Sequence, residues 1–189
     1  EEPAVKKLIL YAAALALLSG CAPNAREPDG LALARVLGVD GAGPVTLTAV
    51  CGGTDQDGGA RGSADGANLE AARQALPWAG EREMALTNLS YIIIGMDADA
   101  GAAAAWVMAD RELSPSAAMW LTEDAAALLD GSGDPAARLE VLTDSGVSAP
   151  TAAEVLAALE TSGWVELPVL ENVDGELRVV RTVRWEESG

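Results

Sequence analysis

The chain has 189 residues, which is enough for one domain of ordinary size with its own hydrophobic core. It carries 29 acidic and 12 basic residues, a net charge of −17, and this acidic excess disfavours binding to nucleic acid or to anionic lipid head groups. It contains no histidine, which excludes Ser-His-Asp and Cys-His nucleophile systems and zinc sites with histidine ligands.

The first 22 residues have the pattern of a lipoprotein export signal. A lysine pair at 6–7 precedes an uncharged apolar run at 8–18, about half of the roughly 20 residues that a transmembrane helix needs. The tetrapeptide Leu-Ser-Gly-Cys at 18–21 then matches the lipobox of bacterial lipoprotein precursors, in which the cysteine thiol accepts a diacylglyceryl group. Two or more acyl chains anchor a protein stably, at about 0.8 kcal/mol per buried methylene. We therefore expect residues 1–20 to be a signal peptide and Cys21 to be lipidated.

Residues 21–30 are polar and contain proline, so we expect them to tether a single α/β domain that spans residues 31–189. Within that domain, LALARVLGVD at 31–40 and VTLTAVC at 45–51 have strand patterns and predict a hairpin. Gly38, Gly41 and Gly43 lack the spacing of a nucleotide-binding fingerprint, and a proline and a strand follow them where that motif needs a helix. We therefore interpret residues 41–44 as a turn, and the Gly- and Asp-rich stretch at 52–66 as a loop.

This loop and the second cysteine, Cys51, are two further candidates for a functional site. Asp55, Asp57 and Asp65 lie in this one loop, but an EF-hand that begins at Asp55 needs a glutamate at its twelfth position, where Gly66 stands. A solvated loop is therefore favoured over weak calcium binding by these three carboxylates. Cys51 is expected to fill a core position at the end of its strand, since a reactive thiol would need a nearby cation. No pair of carboxylates stands in a catalytic motif. We therefore predict no catalytic residue, no metal site and no cofactor.

Helix and strand patterns alternate through the rest of the chain. The helices are expected at residues 68–76, 97–110, 124–129, 135–142 and 151–159. The strands are expected at residues 89–95, 116–122, 165–170 and 177–185. The run Tyr-Ile-Ile-Ile at 91–94 predicts a central strand buried on both faces, Thr151 and Glu154 form a capping box, and the turn at 173–175 closes a hairpin. The fold class is therefore α/β (α+β): a mixed β-sheet with packed helices and with hairpins at both ends.

Several segments stand in an order that resembles a known family. After Cys21 come Arg-Glu at 26–27 and a Leu-Ala strand that ends in Gly-Val-Asp at 38–40. Then come Ser-Ala-Asp-Gly at 63–66 before a helix, a strand that ends in Ile-Gly at 90–95, and Asp-Arg-Glu-Leu at 110–113. This order resembles the N-terminal domain of the Ger(x)C family, the C subunits of spore germinant receptors in endospore-forming Firmicutes. The chain departs from the family at 22–23, where Ala-Pro replaces the usual Trp-Asp, and at 87–88, where Thr-Asn replaces a frequent Gly-His.

The resemblance implies a lipid-anchored subunit without enzymatic activity, on the extracytoplasmic face of the spore inner membrane. Its implied partners are two integral-membrane receptor subunits, in a complex that responds to nutrients such as amino acids or sugars, and full-length members continue with further domains. An alternative for a lipid-anchored acidic domain is a solute-binding or envelope lipoprotein of a transport system. A third class, a lipoprotein hydrolase that uses carboxylates alone, is also consistent with the residues present.

Overall fold

The computed structural model describes residues 31–52, 60–76 and 83–186, and within these ranges eight strands and five helices are formed. The strands are β1 (Leu31–Asp40), β2 (Val45–Cys51), β3 (Arg61–Gly66), β4 (Glu83–Ala85), β5 (Tyr91–Gly95), β6 (Ala118–Thr122), β7 (Trp164–Val173) and β8 (Glu176–Glu186). The helices are α1 (Leu69–Ala75), α2 (Ala100–Ala109), α3 (Ala125–Gly131), α4 (Pro135–Asp144) and α5 (Ala152–Ser162). All of these elements belong to one compact unit, Leu31–Gly189.

The strands form one mixed sheet in the order β3-β2-β1-β5-β6-β7-β8, with β4 paired to the start of β1. The centre is parallel, because β1 pairs with β5, β5 with β6 and β6 with β7 in the same direction. Both edges are antiparallel, formed by β3-β2-β1 on one side and by β7-β8 on the other. The predicted mixed sheet with a hairpin at each end is therefore confirmed.

The hairpin of β7 and β8 is closed by Asp174 and Gly175. Both residues have positive φ angles, 54° and 85°. Two successive residues in this region are typical of the two-residue turns whose twist matches that of antiparallel strands, and Asp-Gly is a preferred pair for them. The predicted turn is confirmed, and both predicted strands are longer than expected from the hydrophobic pattern alone.

Helices cover both faces of the sheet. Ile92 and Ile94 on β5 pack into the cluster that includes the buried residues of α1, α2 and α5. Ile93 points to the opposite face, where Trp120 on β6 packs with the buried residues of α3 and α4. All five residues of β5 are buried, so the prediction of a central strand covered on both faces is confirmed.

The helices begin at short polar side chains that accept hydrogen bonds from the first turn. The cap residues are Asn68, Asp99, Asp124, Asp134 and Thr151. Thr151 and Glu154 make both bonds of the predicted capping box, which is confirmed. Among the described residues, no helix has the length and apolar character needed to cross a membrane.

Two strands lie where none was predicted. The loop prediction for 52–66 is wrong over Arg61–Gly66, which forms β3 against β2. This segment, RGSADG, has low strand propensity, and its backbone is held by pairing with β2. Two side-chain hydrogen bonds support the pairing. They join Thr46 Oγ1 to Asp65 Oδ1 at 2.7 Å and Thr48 Oγ1 to Ser63 Oγ at 3.1 Å. The short strand β4 was also missed, since three residues give too little periodicity to recognise.

Candidate functional site

The residues singled out in the sequence have different outcomes. Cys21, Asp55 and Asp57 lie outside the described residues. Cys51 is 6% exposed at the end of β2, which confirms its predicted core position. Asp65 lies on β3 and accepts the hydrogen bond from Thr46. Within the described parts of the chain, no group of three or more Cys, Asp or Glu side chains is placed to hold a metal ion.

The carboxyl ends of β1, β5 and β6 lie together at one edge of the sheet, where open α/β sheets commonly bind ligands. Here the position is filled by a side chain of the protein itself. The Asp40 carboxylate accepts hydrogen bonds from the backbone N–H groups of Ala125 at 2.7 Å and Ala126 at 2.9 Å. It thereby satisfies the first amides of α3, which otherwise have no partner within the helix.

Two glycines allow this contact. A Cβ atom at Gly38, two residues before Asp40, would lie 2.8 Å from Leu129 Cδ1, so the missing side chain lets α3 pack directly onto β1. A Cβ atom at Gly95, at the end of β5, would collide with Asp40 Oδ1. Gly38, Asp40 and Gly95 are therefore parts of one arrangement that seats α3 on the sheet.

The charge at this edge is negative. Burial raises the pKa of Asp40, the two backbone hydrogen bonds lower it in part, and the carboxylates of Asp124 and Asp97 raise it further. These neighbours are also engaged: Asp97 accepts from Gly41 N at 3.1 Å and Asp124 from Ala127 N at 2.8 Å. The cavity between them measures about 220 Å³. A phosphate or carboxylate ligand would meet this negative field, and the amides of Ala125, Ala126 and Ala127 already have acceptors, so this edge disfavours anions.

The opposite edge, at the amino ends of β5 and β6, holds a larger cavity of about 430 Å³. We call it the hydroxyl-lined cavity. Six of its lining residues carry hydroxyl groups on Ser or Thr side chains, and they come from separate parts of the chain: Thr87, Ser90, Ser114, Ser116, Thr143 and Ser148. Every lining side chain among the described residues is uncharged.

The floor of the hydroxyl-lined cavity is aromatic. Tyr91 is 8% exposed and Trp120 is completely buried, and both line the cavity from the first residues of β5 and the middle of β6. The Trp120 indole N–H has no hydrogen-bond partner among the described residues.

No local sequence pattern indicates this cavity. Its hydroxyl groups come from the loops before β5 and β6, the end of α4 and the loop before α5, and in the sequence they look like ordinary loop residues. Only the parallel pairing of β5 with β6 brings these loops to one edge.

The chain was compared with protein-family models, with curated proteins and with solved structures, and none of them matches it.

Proposed function

We propose that this chain is a lipid-anchored, non-enzymatic subunit of a spore germinant receptor. In this role the acylated thiol of Cys21 holds the domain at the extracytoplasmic face of the membrane, and the domain acts by contact with integral-membrane subunits. The observation that carries the proposal is the lipobox at 18–21 followed, in order, by the segments that resemble the Ger(x)C N-terminal domain.

Two of the segments that carry the resemblance contact each other in the fold, which supports considering them together. Two of them are the Gly-Val-Asp end of β1 and the Ile-Gly end of β5, which are far apart in sequence. They meet at the Asp40 carboxylate, because Gly95 leaves the space that this side chain occupies. Residues that depend on each other sterically are a stronger basis for the resemblance than isolated short motifs.

A role in contact rather than catalysis is supported by the chemistry present. The chain contains no histidine, and its two lysines precede Cys21. At the carboxyl edge, Asp40, Asp97 and Asp124 accept bonds from backbone amides, and Glu123 pairs with Arg181 at 3.2 Å. These carboxylates cap and brace the fold. An anchor close to the bilayer raises the local concentration of the domain near membrane partners, so a weak interface suffices.

A second candidate, a solute-binding lipoprotein of a transport system, is favoured by one observation, the hydroxyl-lined cavity. Its volume falls within the range of about 300–1,000 Å³ that is typical of small-molecule sites. The two candidates differ in their partners, so an experiment on partners separates them.

The test is co-expression of the full chain, tagged at its C-terminus, with the membrane proteins encoded beside it in its genome. Cells are fed an alkyne fatty acid, membranes are solubilised in mild detergent, and the tagged protein is recovered and analysed by mass spectrometry. The matched control is Cys21→Ala, which removes the acylated thiol. We expect the wild-type chain to carry the fatty-acid label and to recover two integral-membrane receptor subunits, and the Cys21→Ala chain to carry no label.

Two results would contradict the proposal. A labelled wild-type chain that recovers neither receptor subunit overturns the receptor assignment, and recovery of an ATP-driven transporter instead supports the solute-binding candidate. A Cys21→Ala chain that still carries the label overturns the assignment of the anchor.

A further inference from the structure

We propose that the hydroxyl-lined cavity binds one small, uncharged, polyhydroxylated molecule, of the class of monosaccharides and cyclic polyols. The cavity of about 430 Å³ is large enough for a single ring of this kind. This inference does not depend on the receptor assignment, since it concerns the cavity of the isolated chain.

Charge selects the class of ligand. A charged group that leaves water needs an ionic partner or its burial is costly, and no described residue that lines this cavity can supply one. The chain as a whole carries a charge of −17, which adds a general repulsion of anions. An amino acid zwitterion, a carboxylate or a sugar phosphate therefore fits this cavity worse than a neutral molecule of the same size.

The hydroxyl groups of the cavity match the hydrogen-bonding pattern of a polyol. Each Ser or Thr hydroxyl donates one hydrogen bond and accepts two, as does each hydroxyl of a sugar. The Thr143 hydroxyl donates to the Leu139 carbonyl at 2.9 Å and keeps its capacity to accept. Ser114 Oγ and Ser116 Oγ lie 2.8 Å apart, so one of them donates to the other and the pair keeps one donor. The wall therefore offers both donors and acceptors, which suits a ligand that has both.

The aromatic floor adds the second element of a sugar site. Small-molecule sites commonly combine apolar or aromatic surface with a few polar groups that fix orientation. Tyr91 lines the cavity at 8% exposure and supplies part of this surface, while Trp120 lines it as a completely buried side chain.

Backbone pairing fixes the walls of the cavity. Ala118 N donates to Ser90 O at 2.9 Å, which joins the two strand starts. Met119 N donates to Pro150 O at 2.8 Å, which holds the loop that carries Ser148 against β6. A site that is formed before the ligand arrives loses less conformational entropy on binding than a mobile one.

The test is ligand-observed NMR with the purified full chain, in a detergent whose head group is not a sugar. The probes are glucose and myo-inositol, and the charged comparators are alanine and glucose 6-phosphate. Tryptophan fluorescence is recorded in parallel, since Trp120 lies at the floor of the cavity. We expect saturable binding of at least one neutral probe, a change in fluorescence on binding, and at least tenfold weaker binding of the comparators.

Ser148→Trp is the blocking variant, because Ser148 is exposed at the rim and a bulky side chain there fills the cavity without disturbing the core. Ser145→Trp is the matched control, since Ser145 is also exposed and precedes the same loop but does not line the cavity. Ser116→Trp, in the loop before β6, is a second variant designed to block the cavity. It replaces Ser148→Trp if that variant lowers the melting temperature. We expect each folded blocking variant to weaken binding of the neutral probe at least tenfold and the control to leave it unchanged.

The proposal is overturned if neither neutral probe binds. It is also overturned if binding persists in both blocking variants, because the ligand would then bind elsewhere. Tighter binding of a charged comparator than of the neutral probes would contradict the proposed class of ligand.

Discussion

The two edges of the parallel strands are built in opposite ways. At the carboxyl edge, the Asp40 carboxylate is fixed by two amides of α3 at 2.7 and 2.9 Å, and the surrounding carboxylates have partners of their own. At the amino edge, the described side chains that line the hydroxyl-lined cavity are uncharged. In the first region the carboxylates hold the fold, and in the second the hydroxyls of Thr143, Ser114 and Ser116 keep part of their hydrogen-bonding capacity. Helix amides at the carboxyl edge of an α/β sheet commonly receive a ligand, but here Asp40 engages the first two amides of α3.

The comparison is tested most strongly by Asp40→Ala. We expect the free energy of unfolding to fall by about 1.5–3 kcal/mol, because two amides of α3 lose a charged acceptor. The measurement is urea denaturation followed by circular dichroism. Glu123→Ala is the matched control at the same edge, since its ion pair with Arg181 is exposed, and we expect a change of about 0–1 kcal/mol. Equal losses in the two variants would refute a special role for Asp40.

The pH dependence of stability gives a smaller effect. The pKa of Asp40 is raised above its ordinary value of 3.8, mainly by burial. As pH rises above 3.8, the Asp40 carboxyl group therefore loses its proton in the unfolded chain before it does in the folded chain. The contribution of Asp40 to the free energy of unfolding is largest at low pH and falls as pH rises through the folded pKa. We expect the stability of the wild type relative to Asp40→Asn to be greatest at low pH and to decrease from pH 4 to pH 7.

That trend is measured by urea denaturation of both proteins at each pH. The total change should be smaller than the loss in Asp40→Ala, because the two amide bonds offset part of the cost of burying the charge. A difference between the two proteins that grows with pH would contradict the sign of the shift.

The smallest effect is expected at the amino edge. Ser116→Ala removes an exposed hydroxyl whose side-chain contact is with Ser114. We expect the free energy of unfolding to change by less than about 0.5 kcal/mol, as for most surface substitutions. Thermal denaturation of the purified chain measures this. A loss as large as that of Asp40→Ala would mean that the hydroxyl-lined cavity is part of the supporting framework, and the contrast between the edges would fail.

Local patterns were sufficient for much of the fold. The buried run at 91–94 identifies β5 as a central strand, since three successive isoleucines are unusual in a strand with a solvated face. Thr151 with Glu154 identifies the start of α5, because the capping box uses only residues within one turn. Predictions of this kind succeed where the determining contacts lie close together in sequence.

Predictions failed where distant residues determine the structure. The segment at 61–66 becomes β3 through pairing with β2, although its own residues favour a loop. The predicted strand end at Asp40 is confirmed, but its carboxylate bonds to Ala125 and Ala126 span more than 80 residues and have no local sequence pattern. The hydroxyl-lined cavity was missed for the same reason, since its hydroxyls gather only when β5 and β6 lie side by side.

The turn at Asp174 and Gly175 has a consequence for the chain entropy of the sheet. The hairpin of β7 and β8 begins at Val173 and Glu176 and extends to Trp164 and Glu186, so each pair that forms closes only a short additional loop. The pairing of β1 with β5 instead brings together residues 36 and 91, with β2, β3, α1 and β4 between them. The entropy lost on closing a loop rises with its length. The hairpin of β7 and β8 therefore loses the least loop-closure entropy of any part of the sheet. The parallel strands at the centre of the sheet lose more conformational entropy when they pair.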